Sequence, residues 1–178
     1  LSLFGPDPTA NLVPDMIALR PTLFPAAPRV LNKILDTIVG AVSKLPKGNM
    51  KRRVFEAGLK TKLKNLKETG QLTHMIYDKV LFNKIKSSLG LSHLRVLICG
   101  SAPVLPKVLH SFRCILGVPV IEGYGMTESS GVTSVSFIND MKCDGHVGGP
   151  CPGVEIMLVD VPEMGYLACD KFHEDKIE

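Results

Sequence analysis

Leu94-Arg95-Val96-Leu97-Ile98-Cys99-Gly100 is a short, mostly apolar run of strand-forming residues closed by glycine. Pro106 then opens a stretch whose apolar positions, Val108, Leu109, Phe112, Ile115 and Leu116, keep the helical period until Gly117 ends it. Val118-Pro119-Val120-Ile121 reads as the next strand, with Pro119 suited to its first residues or an edge rather than its middle. A strand, a helix and a strand of these lengths make a parallel crossover, and on that ground the chain is α/β. Further short strands are expected over 131–137 and 154–160.

Upstream of that unit the period changes. After a short apolar run, Thr22-Leu23-Phe24, the positions Val30, Leu31, Ile34, Leu35, Ile38, Val39 and Val42 form one broad helical stripe, stopped by Pro46 and Gly48. A second helix carries Phe55, Leu59, Leu63 and Leu66 on one side and basic residues elsewhere. A third is expected over 75–89, with Gly90 as its cap. The chain therefore divides into a helical region, 22–90, and a strand–helix–strand region, 91–160.

Composition removes several function classes. No apolar run is long enough to span a bilayer, and the opening residues 1–6 have no basic region followed by an apolar block, so no signal peptide is read there. Both ends of the chain read as cut, with no initiator Met and no closing element. The five cysteines, Cys99, Cys114, Cys143, Cys151 and Cys169, form no CxxC pair, which argues for structural, reduced, intracellular thiols over disulfides or a zinc site. Residues 44–68 hold nine Lys or Arg against Glu56 and Glu68, a net +7 in a chain whose total is +4. The readings of that basic stretch are, in order, a solvated helical face, contact with an anionic membrane surface, and nucleic acid. Phe55 is its one aromatic and no base-reading motif surrounds it, so no nucleic-acid partner is expected.

In open α/β sheets ligands bind beyond the carboxyl ends of the strands. Two glycine-containing loops are expected there, side by side: Gly100-Ser101-Ala102-Pro103, and Glu122-Gly123-Tyr124-Gly125-Met126-Thr127-Glu128. The glycines permit close backbone approach, Tyr124 offers a stacking ring, Thr127 a hydroxyl, and Glu128 a hard oxygen for Mg²⁺. The same residues also suit a plain turn followed by an N-cap and a first-turn acid, and spacing by itself leaves both readings open.

Glu122-Gly123-Tyr124-Gly125-Met126-Thr127-Glu128-Ser129 resembles the YGxTE core motif of adenylate-forming enzymes. Gly100-Ser101-Ala102-Pro103 is similar to the adenine-side loop of that superfamily, and Gly145-His146-Val147-Gly148-Gly149-Pro150-Cys151-Pro152-Gly153 resembles its next motif, in the right order and at about the right spacing. Arg20-Pro21-Thr22-Leu23-Phe24-Pro25-Ala26-Ala27-Pro28-Arg29 and Leu158-Val159-Asp160-Val161-Pro162-Glu163-Met164 are similar to segments of the long-chain fatty-acyl-CoA synthetase branch. The likeness runs over roughly 5–167, and the helical insertion suits that branch.

The resemblance implies a fold: part of the large N-terminal domain of an adenylate-forming enzyme, a parallel βαβ sheet with covering helices and a helical insertion, incomplete at both ends and without the small C-terminal domain. It implies a reaction: a long-chain fatty acid is activated by ATP to an acyl-adenylate and then passed to CoA. It implies roles for Gly100, Ser101, Ala102 and Pro103 around adenine and adenylate, and for Glu122, Gly123 and Tyr124, with Gly125, on the adenine. Thr127 is implied at the α-phosphate and Glu128 at Mg²⁺, as the catalytic pair. The acyl tunnel is expected near Phe24, Pro25 and 147–150, although these residues serve equally as core. His146 suits a structural hydrogen bond in a glycine turn, with a catalytic base as the alternative. The implied setting is intracellular, on the cytosolic face of an endoplasmic-reticulum, mitochondrial outer or peroxisomal membrane.

Nothing in residues 1–22 matches the superfamily's phosphate loop, and neither Lys171 nor Lys176 matches its catalytic-lysine motif. The 178-residue chain alone is therefore expected not to form acyl-CoA. Three rival readings stand: a ligase for another carboxylic acid, a non-catalytic membrane- or partner-binding module, and a dinucleotide-binding oxidoreductase. The last lacks a G-x-G-x-x-G after a first strand.

Overall fold

The structure is a computed structural model that describes residues 11–140 and 145–168. The expectations placed on residues 1–6, Cys143, Cys169, Lys171 and Lys176 lie outside the described residues. In chain order the first elements are α1 (Leu12–Leu19), β1 (Leu23–Ala26), α2 (Pro28–Ser43) and α3 (Met50–Thr69). A single turn α4 (Met75–Tyr77), a π-helical segment (Asp78–Phe82) and α5 (Asn83–Ser88) follow. Then come β2 (Val96–Gly100), α6 (Pro106–Leu116), β3 (Val120–Met126), β4 (Gly131–Val135) and β5 (Gly149–Pro150).

The strands lie in sequence order in one sheet. β1 to β3 are parallel, and β3 to β5 are antiparallel. Long crossovers over α2–α5 and over α6 supply the parallel pairs, whereas β3 and β4 are joined by one tight 3₁₀ turn, Thr127–Ser129. The helices start and stop on local signals. Pro28 and Pro106 occupy first-turn positions of α2 and α6, Asn49 caps α3 by accepting from the Lys51 N–H at 2.9 Å, and Gly117 ends α6 in the left-handed region at φ 64°.

β2 shows how the sheet divides its faces. Leu97 and Cys99 point into a core shared with Leu31, Ile34, Phe55, Leu109, Phe112 and Ile115. Ile98 and Gly100 alternate to the other face. Burying each large apolar side chain of that core stabilises the fold by about 1.5–3 kcal/mol.

Four expectations need correction. Residues 154–160 are not a strand: all but the half-buried Val154 are exposed, and no strand pairs with them among the described residues. Residues 122–126, expected as loop, continue β3, since β4 gives them an antiparallel partner. The expected strand 118–121 accordingly begins at Val120 and leaves Pro119 outside. The helix expected over 75–89 is interrupted by its π segment. Two elements carried no usable signal: α1, and β1, of which only an apolar run was evident and whose Pro25 is tolerated at the sheet edge.

Candidate functional site

The carboxyl ends of β1, β2 and β3 meet the start of β4 around an open groove of about 500 Å³. β1 and its exit give Pro25, Ala26 and Ala27 to one wall, and β2 gives Ile98, Gly100 and Ser101. β3 and its turn contribute the stretch from Gly123 to Thr127, and β4 closes the groove with Gly131 and Val132. Gly100 lies opposite Gly123 in the register. A Cβ at Gly100 would come 2.9 Å from the Gly123 carbonyl oxygen, so the two strand ends sit this close only because residue 100 has no side chain.

The turn after β3 is held by one hydroxyl. Ser129 Oγ accepts from the Met126 N–H at 3.2 Å and from the Thr133 hydroxyl at 2.8 Å, and donates to the Met126 carbonyl at 3.0 Å. A register shift between Tyr124 and Gly125 twists the strand just before the turn. Any side chain at Gly125 would run into the Gly131 carbonyl, and Gly131 itself has φ 120°, which L side chains rarely adopt. With the backbone fixed in this way, Thr127 and Glu128 stand exposed, and neither side chain makes a hydrogen bond or ion pair among the described residues. A rigid turn thus presents a hydroxyl and a carboxylate to a ligand with no internal partner to displace.

Of the residues singled out from sequence, Gly100, Ser101, Gly123, Tyr124, Gly125 and Thr127 line the groove together. Ala102 and Pro103 are exposed just beyond Ser101, and Glu128 follows Thr127 in the turn. Glu122 does not line it. It pairs with Cys99 in the register, its N–H donates to Ser136 Oγ at 2.9 Å, and its carbonyl accepts the Ser136 N–H at 2.8 Å. Burial, and after it the neighbouring Glu122 carboxylate, pushes the Cys99 thiol up to about 11. Burial likewise raises Cys114 to about 11, which suits packing and not nucleophilic chemistry for both. His146 Nδ1 accepts the Gly148 N–H at 3.0 Å and Nε2 lies 3.6 Å from Asp140 Oδ2, so the ring braces its own glycine turn. Phe24 packs on the core and Pro150 pairs with Ser134 beside β4, so of the residues named for an acyl tunnel Pro25 alone faces this groove among those described. Ala26, Ala27, Ile98, Met126, Gly131 and Val132 were given no site role from sequence. The small pair before Pro28 was the one available hint.

A family described as AMP-binding enzyme matches residues 2–171. The chain belongs to that family. The chain is 41% identical over 163 residues to the peroxisomal long chain acyl-CoA synthetase 6 of Arabidopsis thaliana, covering 92% of itself and 22% of that protein. It is 39% identical over 155 residues to long-chain-fatty-acid–CoA ligase 6 of Mus musculus, covering 87% of itself and 21% of the mouse protein. It therefore spans about a fifth of the length of the curated relatives it matches. Among solved structures, the adenylation domain of a carboxylate reductase from Mycobacterium chelonae superposes with a TM-score of 0.57 at 25% identity, over 90% of this chain and 20% of that one. The anthranilate CoA ligase AuaEII, solved with anthranoyl-AMP, agrees in fold at TM-score 0.51 and 19% identity, over 86% of this chain and 21% of the other.

Ser101 carries backbone strain at the rim of the groove. Its φ is 71°, a left-handed conformation that costs a non-glycine residue about 1–2 kcal/mol. Ser101→Val is expected to lower stability by a further ~1–2 kcal/mol, since a β-branched side chain fits that region worst, while Ser101→Gly stays within about 1 kcal/mol of the parent. Urea denaturation of the three chains checks the order. Equal midpoints for Val and Gly would show that the loop relaxes to another conformation at no cost.

Proposed function

We propose that the whole protein is an ATP-dependent long-chain-fatty-acid–CoA ligase and that the groove at the strand ends holds its nucleotide. The observation that carries this reading is the convergence of Gly100, Ser101, Tyr124, Gly125 and Thr127 on one groove, in a chain 41% identical to a long chain acyl-CoA synthetase. Residues 91–160 form the nucleotide side of this reading and 22–90 the acyl side.

No protein nucleophile is required. A fatty-acid carboxylate oxygen attacks the α-phosphorus of ATP, the bond to the β-phosphate oxygen breaks and pyrophosphate leaves. The CoA thiol, losing its proton, then attacks the acyl carbonyl and expels AMP. Catalysis in the first step consists of positioning and of neutralising charge on phosphate oxygens. Tyr124, 46% exposed beside the groove, offers its ring face to adenine, and the paired glycines of β2 and β3 let backbone approach the ligand. The Thr127 hydroxyl donates to an α-phosphate oxygen. Ala102 and Pro103 border the adenine in this reading, and Glu122, which does not line the groove, supports the adenine side from β3 through its backbone bonds to Ser136.

Mg²⁺ is assigned to Glu128. One exposed, unpaired carboxylate beside a hydroxyl donor fits an ion that keeps most of its waters and takes further oxygens from phosphates. Bound there, Mg²⁺ supplies positive charge opposite the phosphate oxygens. The reading includes an intracellular position at the cytosolic face of a membrane, supported by the lipid character of the substrate and the peroxisomal name of the Arabidopsis relative. No helix of the described residues is long and apolar enough to cross a membrane.

ATP–pyrophosphate exchange by the whole protein tests the reading. Exchange is expected with oleate and at least about tenfold less with octanoate or benzoate. Equal exchange with benzoate would make it a ligase for another acid, and no exchange with any acid would leave a non-catalytic module.

A further inference from the structure

Helix α3 sorts its basic residues in a way the count of charges does not reveal. Phe55, Gly58, Lys62 and Leu66 are buried on its inner side. At about 100° per residue, Arg53, Lys60, Lys64 and Lys67 fall on the opposite side within roughly 60° of arc. All four are exposed. They run in a straight stripe about 21 Å long, with Ala57 in the one gap. Of the two acids of the helix, Glu56 is held by Arg52 at 2.8 Å, and Glu68, 3.8 Å from Lys64, offsets one of the four cations. Lys44 and Lys47, both exposed, add charge just before the helix, and Met75 and Ile76, 86% and 62% exposed, put apolar side chains just after it.

We infer that the outer face of α3 docks on an anionic lipid bilayer. A helix is a convex cylinder, which touches a plane along one line, and the four cations occupy that line. Each cation near such a surface strengthens binding by about fivefold, so the three that no acid offsets give an effect on the order of a hundredfold. The single aromatic of the helix, Phe55, is buried, which leaves no ring for stacking nucleic-acid bases. Flanking exposed apolar residues suit an interface where headgroups meet acyl chains. No residue of α3 lines the groove, so docking leaves the strand ends open. The choice of a lipid surface over an acidic protein rests on the proposed fatty-acid substrate, which partitions into bilayers.

Co-sedimentation of the full chain with phosphatidylcholine vesicles, with and without phosphatidylserine, tests the inference without ATP or fatty acid. Binding is expected to need phosphatidylserine, to be lost in high salt, and to fall on the order of a hundredfold in Arg53→Gln, Lys60→Gln, Lys64→Gln, Lys67→Gln. Far-UV circular dichroism verifies that this variant is folded, and Lys60→Arg, Lys64→Arg, Lys67→Arg is expected to bind like the parent. Equal binding to neutral vesicles, or no loss in the glutamine variant, overturns the inference. Tighter binding to a duplex oligonucleotide than to the vesicles overturns it in favour of nucleic acid. Thr127→Ala, Glu128→Ala is expected to bind vesicles normally, so failure of the catalytic reading is distinguishable from failure of this one.

Discussion

Glu128→Ala is expected to lower the rate of adenylate formation by about a hundred- to a thousandfold, and Thr127→Val by about a hundredfold. Both side chains project from a turn whose shape is set by Ser129, Gly125 and Gly131, not by themselves. Neither forms a hydrogen bond or ion pair among the described residues, so removing either is expected to change folding stability by no more than about 0.5 kcal/mol. Loss of rate without loss of stability is thus the signature of a ligand contact. The two variants should also differ in kind. Removing the carboxylate raises the Mg²⁺ concentration needed for half-maximal rate, whereas removing the hydroxyl leaves that dependence unchanged and lowers the rate at saturating Mg²⁺. Single-turnover formation of acyl-adenylate across a Mg²⁺ titration measures both. A Glu128→Ala protein within about threefold of the parent at all Mg²⁺ concentrations removes Glu128 from the metal role.

The residues that line the groove were more legible than the fold around them, and the reason is locality. Tyr124 to Thr127, which line it, fall within one short stretch, and Gly100 and Ser101 stand at the end of a strand marked by glycine. α6 was equally plain, because Pro106 and Gly117 mark its ends within the sequence that forms it. Sheet membership is not local. Leu23-Phe24-Pro25-Ala26 is a strand because β2 lies beside it, and residues 154–160, with better strand-forming composition, are not, because no strand pairs with them among the described residues. The continuation of β3 through Gly123, Tyr124 and Gly125 depends in the same way on β4. Lys62 shows a second kind of miss. It was counted with the solvated cations, yet it is seven residues after Phe55 and four before Leu66, squarely in the buried arc. Its partner, Asp78, belongs to another element and left no trace in the periodicity of α3.

That buried lysine carries the largest expected effect on stability. Lys62 is 1% exposed; its ammonium pairs with Asp78 Oδ1 and lies 4.9 Å from the centre of the Phe82 ring. Asp78 Oδ2 also accepts the His74 N–H at 2.8 Å. Asp78 and Phe82 bound the π segment, and Gly58, one turn before Lys62, makes room for the Tyr77 and Phe82 rings. Lys86 is drawn into the same cluster: burial lowers its pKa, against the pull of Asp78 and with the push of Lys62. Removing one member leaves a charge without its counter-ion in a place water barely reaches. Asp78→Asn, which keeps an acceptor for His74, is expected to cost about 3 kcal/mol, and Lys62→Met about 2–3 kcal/mol, out of a typical total of about 5–15. The double variant should cost little more than either single one, and less than their sum by about 2 kcal/mol, since it removes both charges together and a Met stem fills the lysine's path over Phe82. Urea denaturation of the four chains closes the cycle. Additive costs would mean that α3 is held to the π segment by apolar packing alone and that the pair is an incidental neighbour. A coupled cycle would make Lys62 and Asp78 the pin that fixes α3 in register, with its inner face on the core and its cationic stripe outward.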